Sequence, residues 1–162
     1  YDARILSVQK GTSGSPGELR GIIDYQDYLK LGEISQNTAN GITGRLHTGK
    51  GAALHREAYE ITLKQDLQTG PAHILSDVGD GVKEYDIEIV KIDRNAKDSN
   101  KSFVIQVTDP ELLSKTGGIV QGMSGSPIIQ NGKIAGAVTH VLVNDPARGY
   151  GIFIENMLEA AE

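Results

Sequence analysis

The sequence predicts an all-β fold, an antiparallel barrel or sandwich, from three observations. Short stretches of apolar or alternating residues recur between turn signals along most of the chain. Glycine is abundant, with 20 residues in 162, while aromatics make up 5% and no long leucine-rich helical stripe is present. Asn131-Gly132 sits between two apolar runs, a strong short-range hairpin signal. The length suits one domain, or two small subdomains sharing a core.

Taken in order, Ala3 to Gln9 alternates as a strand does. Lys10 to Glu18 is a loop, rich in Gly, Ser and Pro. Ile22 to Ile34 fits a short helix or a pair of strands. Asn37 to Leu46 is a glycine-punctuated turn leading into a strand, and Thr48 to Gly51 a loop tip. Ala58 to Leu63 reads as a strand with Tyr59, Ile61 and Leu63 on one face. His73 to Val78 and Lys83 to Asp93 form a hairpin about the Gly79-Asp80-Gly81 turn. Arg94 to Lys101 is polar and expected to be mobile. Ser102 to Val107 is a strand, followed by a first helical turn at Pro110 with Asp109 or Thr108 as its cap. Ile128-Ile129 and Ile134 to Val143 flank the Asn-Gly turn. Asn144-Asp145-Pro146 turns into a strand at Gly149 to Ile154. Glu155 to Glu162 closes the chain as its one clear helix, with Ile154, Met157, Leu158 and Ala161 on one face.

Composition removes several classes of function. A net charge of −5 argues against nucleic acid as a partner, because phosphate binding relies on basic patches. The absence of cysteine excludes disulfides, thiol catalysis and Cys-rich zinc sites. No H-E-x-x-H or other close ligand spacing suggests a metal, and no cofactor is expected. No stretch reaches the length of a membrane span, and no signal sequence opens the chain. Tyr1-Asp2-Ala3-Arg4 reads like the middle of a strand, which suggests a piece of a longer protein.

The stretch that carries chemistry is Gly122-Met123-Ser124-Gly125-Ser126-Pro127. A serine between glycines on a tight loop suits a nucleophile. Glycine at 122 lets amide groups turn toward one point, as an oxyanion hole requires, so the Gly122 and Ser124 amides are the candidate donors. Gly125 leaves the approach open, and Pro127 fixes the exit into an apolar strand. Gly11-Thr12-Ser13-Gly14-Ser15-Pro16 is a near-copy, but it leads into a polar, glycine-broken segment and reads as a structural turn. A nucleophilic serine needs a base, usually histidine, and a carboxylate that orients it. His47, His55 and His73 lie in strand-end, exposed and rim contexts. His140 lies on the strand after the serine hairpin, where Thr139 and His140 are candidate substrate contacts or plain structural residues. Asp109, just upstream, is either a helix cap or a member of the site.

These residues resemble a known family. Thr116 to Lys133 (TGGIVQGMSGSPIIQNGK), Gly136 to Val141 (GAVTHV), Val143-Asn-Asp-Pro and Gly149-Tyr-Gly are similar to the stage IV sporulation protein B family of serine peptidases. Lys10-Gly-Thr-Ser-Gly, Pro16-Gly-Glu, Asp86-Ile-Glu-Ile-Val and Thr108-Asp-Pro extend the likeness over nearly the whole chain. The resemblance implies a chymotrypsin-like double β-barrel, its first barrel incomplete here, with a C-terminal helix and residues 1–162 as one peptidase domain. It implies Ser124 as nucleophile and Asp109 as the triad aspartate. It further implies export from the forespore, a PDZ domain elsewhere in the protein, self-cleavage, and cleavage of a membrane-bound regulator at the outer forespore membrane that triggers sigma-factor activation. The family's catalytic histidine lies in a Gly-His motif upstream of the residues matching Tyr1, so this chain by itself is expected to be nearly inactive. The competing reading is a non-catalytic β-domain that binds peptide by strand addition; a structural barrel of the spore coat is a weaker third. Oligomeric state and cleavage preference are not legible.

Overall fold

The structure is a computed structural model describing residues 1–47 and 58–161. Its centre is a closed antiparallel barrel in the C-terminal part of the chain. The barrel strands are β6 (Gly70–Asp77), β7 (Val82–Ile92), β8 (Phe103–Val107), β9 (Pro127–Gln130), β10 (Lys133–Leu142) and β11 (Asp145–Phe153). They pair in the order β11-β8-β7-β6-β9-β10, and β10 pairs back onto β11 to close the ring. Alternation explains the closure. Along β7, Tyr85, Ile87 and Ile89 are buried while Glu84, Asp86 and Glu88 point outward. Ile74, Ile105 and Ile128 fill the same interior, and the Phe103 and Phe153 rings meet at 5.4 Å. Each such side chain contributes about 1.5–3 kcal/mol through burial. Burial also pushes the Tyr85 phenol above its ordinary pKa.

Two glycines allow the ring to close. A Cβ at Gly136 would stand 1.8 Å from the Ile152 carbonyl oxygen, and one at Gly151 would stand 2.3 Å from the Phe103 ring. At the Asn131-Gly132 turn both residues take positive φ, 53° and 75°, as a two-residue hairpin turn demands.

The first third of the chain forms two separate two-stranded sheets. One joins β1 (Asp2–Gln9) to β2 (Glu18–Asp24), the other β3 (Gly32–Thr38) to β4 (Gly41–Leu46). Their strands are mostly exposed, with Ile22, Ile23, Ile34, Ile42 and Leu46 open to solvent. The all-β class and the incomplete first barrel thus take the form of one closed barrel and two hairpins.

Several local expectations are corrected. Ile22 to Ile34 is neither a helix nor a strand pair: it holds the end of β2, a single 3-10 turn at Asp27–Leu29, and the start of β3. Ala58 to Leu63 shrinks to β5 (Glu60–Ile61), which pairs with β10 alone, in parallel, so the alternation of Tyr59, Ile61 and Leu63 has too little partner to extend. Asp145 and Pro146 lie inside β11 and not in the turn, which is Val143-Asn144. The terminal helix is not the only helix. α1 (Pro110–Thr116) has seven residues, while α2 (Ile154–Glu159) has six and leaves Leu158 exposed. Arg94 to Lys101 is not loose: Arg94 donates to the carbonyls of Lys64 and Leu67, and Ser99 and Asn100 bond to the β3–β4 tip. The predicted tip at Thr48 to Gly51 lies outside the described residues. No helix among the described residues is long and apolar enough to cross a membrane.

Candidate active site

Two neighbours hold the Ser124 loop. From β10, the Val138 carbonyl accepts from the Gly125 amide at 2.8 Å, and the Val138 amide donates to the Ser126 carbonyl at 2.9 Å. From the segment after the near-copy loop, the Gly17 carbonyl accepts from the Gln121 amide, and the Leu19 amide donates to the Gln121 carbonyl. Inside the loop the Met123 amide reaches the Val120 carbonyl and the Ser126 amide the Met123 carbonyl, while the Met123 side chain is buried beneath. Gly122 and Gly125 both adopt positive φ, 101° and 92°, which an L side chain rarely takes. The core therefore anchors Met123 and lifts Ser124 to the surface. Neither the Gly122 amide nor the Ser124 amide donates to any group among the described residues.

The Ser124 hydroxyl donates to the Thr139 carbonyl at 2.8 Å. A carbonyl can hold that proton in a hydrogen bond but cannot take it away, so the hydroxyl is positioned and not activated. Thr139 sits where the β10–β11 register slips between Val138 and His140. Its own hydroxyl lies 2.6 Å from the Asn100 carbonyl and 3.1 Å from that of Tyr150. The bulge re-aims the Thr139 carbonyl from the sheet toward the serine.

Ser124 opens into a cleft of about 600 Å³. Thr139 and His140 form one wall. The tip of the β3–β4 hairpin forms the other, and Met157 from α2 also lines the cleft. The tip is pinned by the Ser99 hydroxyl to the Asn40 side-chain oxygen at 2.5 Å and by the Asn100 side-chain amide to the Ala39 carbonyl at 3.2 Å. A second cleft of about 550 Å³ lies behind the loop, lined by Gly122, Leu19 and Ser126, where the Ser126 hydroxyl meets that of Ser76 at 3.1 Å.

Of the predicted site residues, Ser124, Thr139 and His140 share one cleft. Asp109 is elsewhere. Its carboxylate accepts from the Leu112 amide at 2.8 Å and from the Asp86 amide at 3.4 Å, the contacts of a cap on α1. The serine cleft abuts the start of β8, near Asn100, whereas Asp109 follows its end. Five strand residues place about 13 Å between those ends. Of the histidines, His73 lies on the barrel wall with its Nε2 3.8 Å from Glu84, His47 follows β4, and His55 falls outside the described residues. No hydrogen bond joins His140 to Ser124. Ser13 donates to the Asn144 carbonyl while the Gly14 amide donates to that of Val143, so its loop staples the β10–β11 turn. Among the described residues no group of three or more His, Asp or Glu stands close enough to hold a metal ion.

Asn100, Met157 and the hairpin tip escaped the sequence reading. Asn40-Gly41 was the available signal, a turn pair whose hairpin could have been drawn. The approach of that tip to Ser124 is tertiary and has no local pattern.

No curated protein matches the chain. The profile of the SpoIVB peptidase S55 family matches residues 1–158, which takes in both hairpins, the barrel and the Ser124 loop. A match over nearly the whole length, on an all-β barrel that carries its glycine-flanked serine at the mouth of a cleft, shows that the chain belongs to the SpoIVB peptidase S55 family.

Proposed function

We propose that this chain is a serine endopeptidase domain in which Ser124 attacks the scissile carbonyl and the Gly122 and Ser124 amides receive the developing oxyanion. The observation that carries the reading is the state of the loop. The hydroxyl of Ser124 faces an open cleft, while among the described residues neither the Gly122 nor the Ser124 amide has a partner. In the reaction, the serine oxygen bonds to the substrate carbonyl carbon as its proton passes to a base. The tetrahedral oxyanion collapses, the peptide C–N bond breaks, and the base returns the proton to the leaving amine; water then releases the acyl group by the same route.

Among the described residues no histidine bonds to Ser124, and the base is proposed to come from outside them. Among the described residues His140 is the one histidine on the serine cleft, and it makes no bond to Ser124, whose hydroxyl is held by a carbonyl. A histidine from an upstream Gly-His segment fits the family pattern. Asp109 acts through α1: its cap orders the helix whose end feeds Gly117 to Gly122 into the nucleophile loop. By family resemblance, the whole protein is exported from the forespore, carries a PDZ domain, cleaves itself, and cuts a membrane-bound regulator in sporulation signalling; the chain's net charge of −5 argues against nucleic acid as a partner.

An active-site-directed fluorophosphonate tests the reading. A longer protein that includes the upstream segment should label at Ser124 and lose the label in Ser124→Ala. The chain alone should hydrolyse peptides near the background rate. Strong peptidase activity of the chain alone, lost in both Ser124→Ala and His140→Ala, would place the base at His140. Peptide binding by the longer protein without any labelling would favour the non-catalytic peptide-binding reading.

A further inference from the structure

We infer that the Ser124 cleft selects an uncharged, aliphatic side chain on the acyl side of the scissile bond, with Met157 of α2 as the residue that sets this preference. The inference rests on the peptidase reading of Ser124 and names the substrate class of that site.

Three observations carry it. First, among the described residues the lining of the cleft contains no Asp, Glu, Lys or Arg, and His140 is its one titratable side chain. A charged side chain entering there would lose water without gaining a counter-charge. Second, the polar groups on the wall already bond to one another. The Thr139 hydroxyl is held by Asn100 and Tyr150 carbonyls, and the Asn100 side-chain amide by Ala39. Few donors or acceptors remain to reward a polar guest. Third, aliphatic side chains make up much of the remaining lining. Ile42 of the β3–β4 hairpin is exposed and Met157 of α2 is half-buried, with Ala137 and Ile152 buried in the adjoining barrel strands. The Met157 methyl lies against the hairpin tip, 3.5 Å from where a Cβ of Gly41 would stand. Methionine is flexible and polarisable and moulds to aliphatic groups of different shape. At about 600 Å³ the cleft has room for such a side chain with adjoining backbone.

The chain offers its own reporter. It has two methionines, Met123 buried at 1% exposure under the nucleophile loop and Met157 on the cleft. The experiment is a methyl-NMR titration of 13C-methionine-labelled Ser124→Ala protein with N-acetyl-Ala-Ala-Ala-X amides, where X is Leu, Met, Asp or Lys. The Met157 methyl should shift with Leu and Met peptides at concentrations at least tenfold lower than with Asp or Lys peptides. Met157→Leu should keep that order. Met157→Lys should bring the Asp peptide ahead of the Leu peptide, read on a backbone amide of the cleft wall, while an unchanged Met123 methyl reports an intact fold. Equal midpoints for all four peptides, or no Met157 shift at any concentration, would overturn the inference. Failure of the peptidase reading shows differently, as absent fluorophosphonate labelling of the longer protein, since this titration needs neither nucleophile nor base.

Discussion

At the scale of single residues, Ser124 and Asp109 differ in how the sequence marks them. The Ser124 loop is written locally: glycines at 122 and 125 supply positive φ, and a following apolar strand fixes the exit. Gly122→Ala would force that φ on a side chain and set its Cβ 3.0 Å from the Cβ of Leu19. It should reduce fluorophosphonate labelling of the longer protein at least tenfold while thermal unfolding still shows a folded barrel. Asp109 carries two meanings in sequence, cap and catalytic acid, because both want a carboxylate before a proline. Its bonds to Leu112 and Asp86 are those of a cap. Asparagine caps about as well as aspartate, whereas alanine costs about 1 kcal/mol. Asp109→Asn should therefore leave Tm unchanged and Asp109→Ala should lower it by about 2–4 °C. A large loss of labelling in the longer Asp109→Asn protein, at unchanged Tm, would instead restore Asp109 to the triad.

At the scale of elements, paired strands were readable where alternation met a turn signal, as in β6–β7 and β9–β10. Residues 58–63 show the limit: alternation alone makes no strand without a partner edge. Charge pairing adds what periodicity omits. Lys115 on α1 bonds to Asp80 at the β6–β7 turn at 2.5 Å, and Lys83 bonds to Glu111 at 2.7 Å, so the turn is tied to the helix from both sides. The Lys115 ammonium holds the Asp80 carboxyl below its ordinary range, and Glu111 holds Lys83 above its own. A depressed carboxyl supports the tie above the ordinary Asp range and stops doing so as pH falls through its folded value. A raised lysine supports it at neutral pH and fails only in strong alkali. Both pairs are exposed, so salt should screen them. Protection factors of α1 amides should fall below about pH 3.8 and on adding 1 M salt, and Asp80→Asn should remove most of that pH response.

At the scale of the whole molecule, the sequence supports the all-β class and the barrel pattern, but not which contacts bring distant elements together. Ring closure depends on small residues at β10–β11. Gly151→Ala would push a methyl into Phe103 and to 3.0 Å from Ile128, an overpacking of about 1–3 kcal/mol. Tm should then fall by roughly 2–12 °C, measured by calorimetry. The hairpin tip was the larger surprise, and it has a thermodynamic consequence. The walls of the Ser124 cleft belong to units that share no strand pairing among the described residues, the β3–β4 hairpin and the barrel, bridged by side-chain bonds from Ser99 and Asn100. A guest that touches both walls is linked to their association. By mass action, occupancy at 100 times the dissociation constant adds about 2.7 kcal/mol to the closed arrangement. Substrate then does more than fill the cleft: it recruits the hairpin into the barrel's cooperative unit, and slower proteolytic nicking of residues 32–46 would report its arrival.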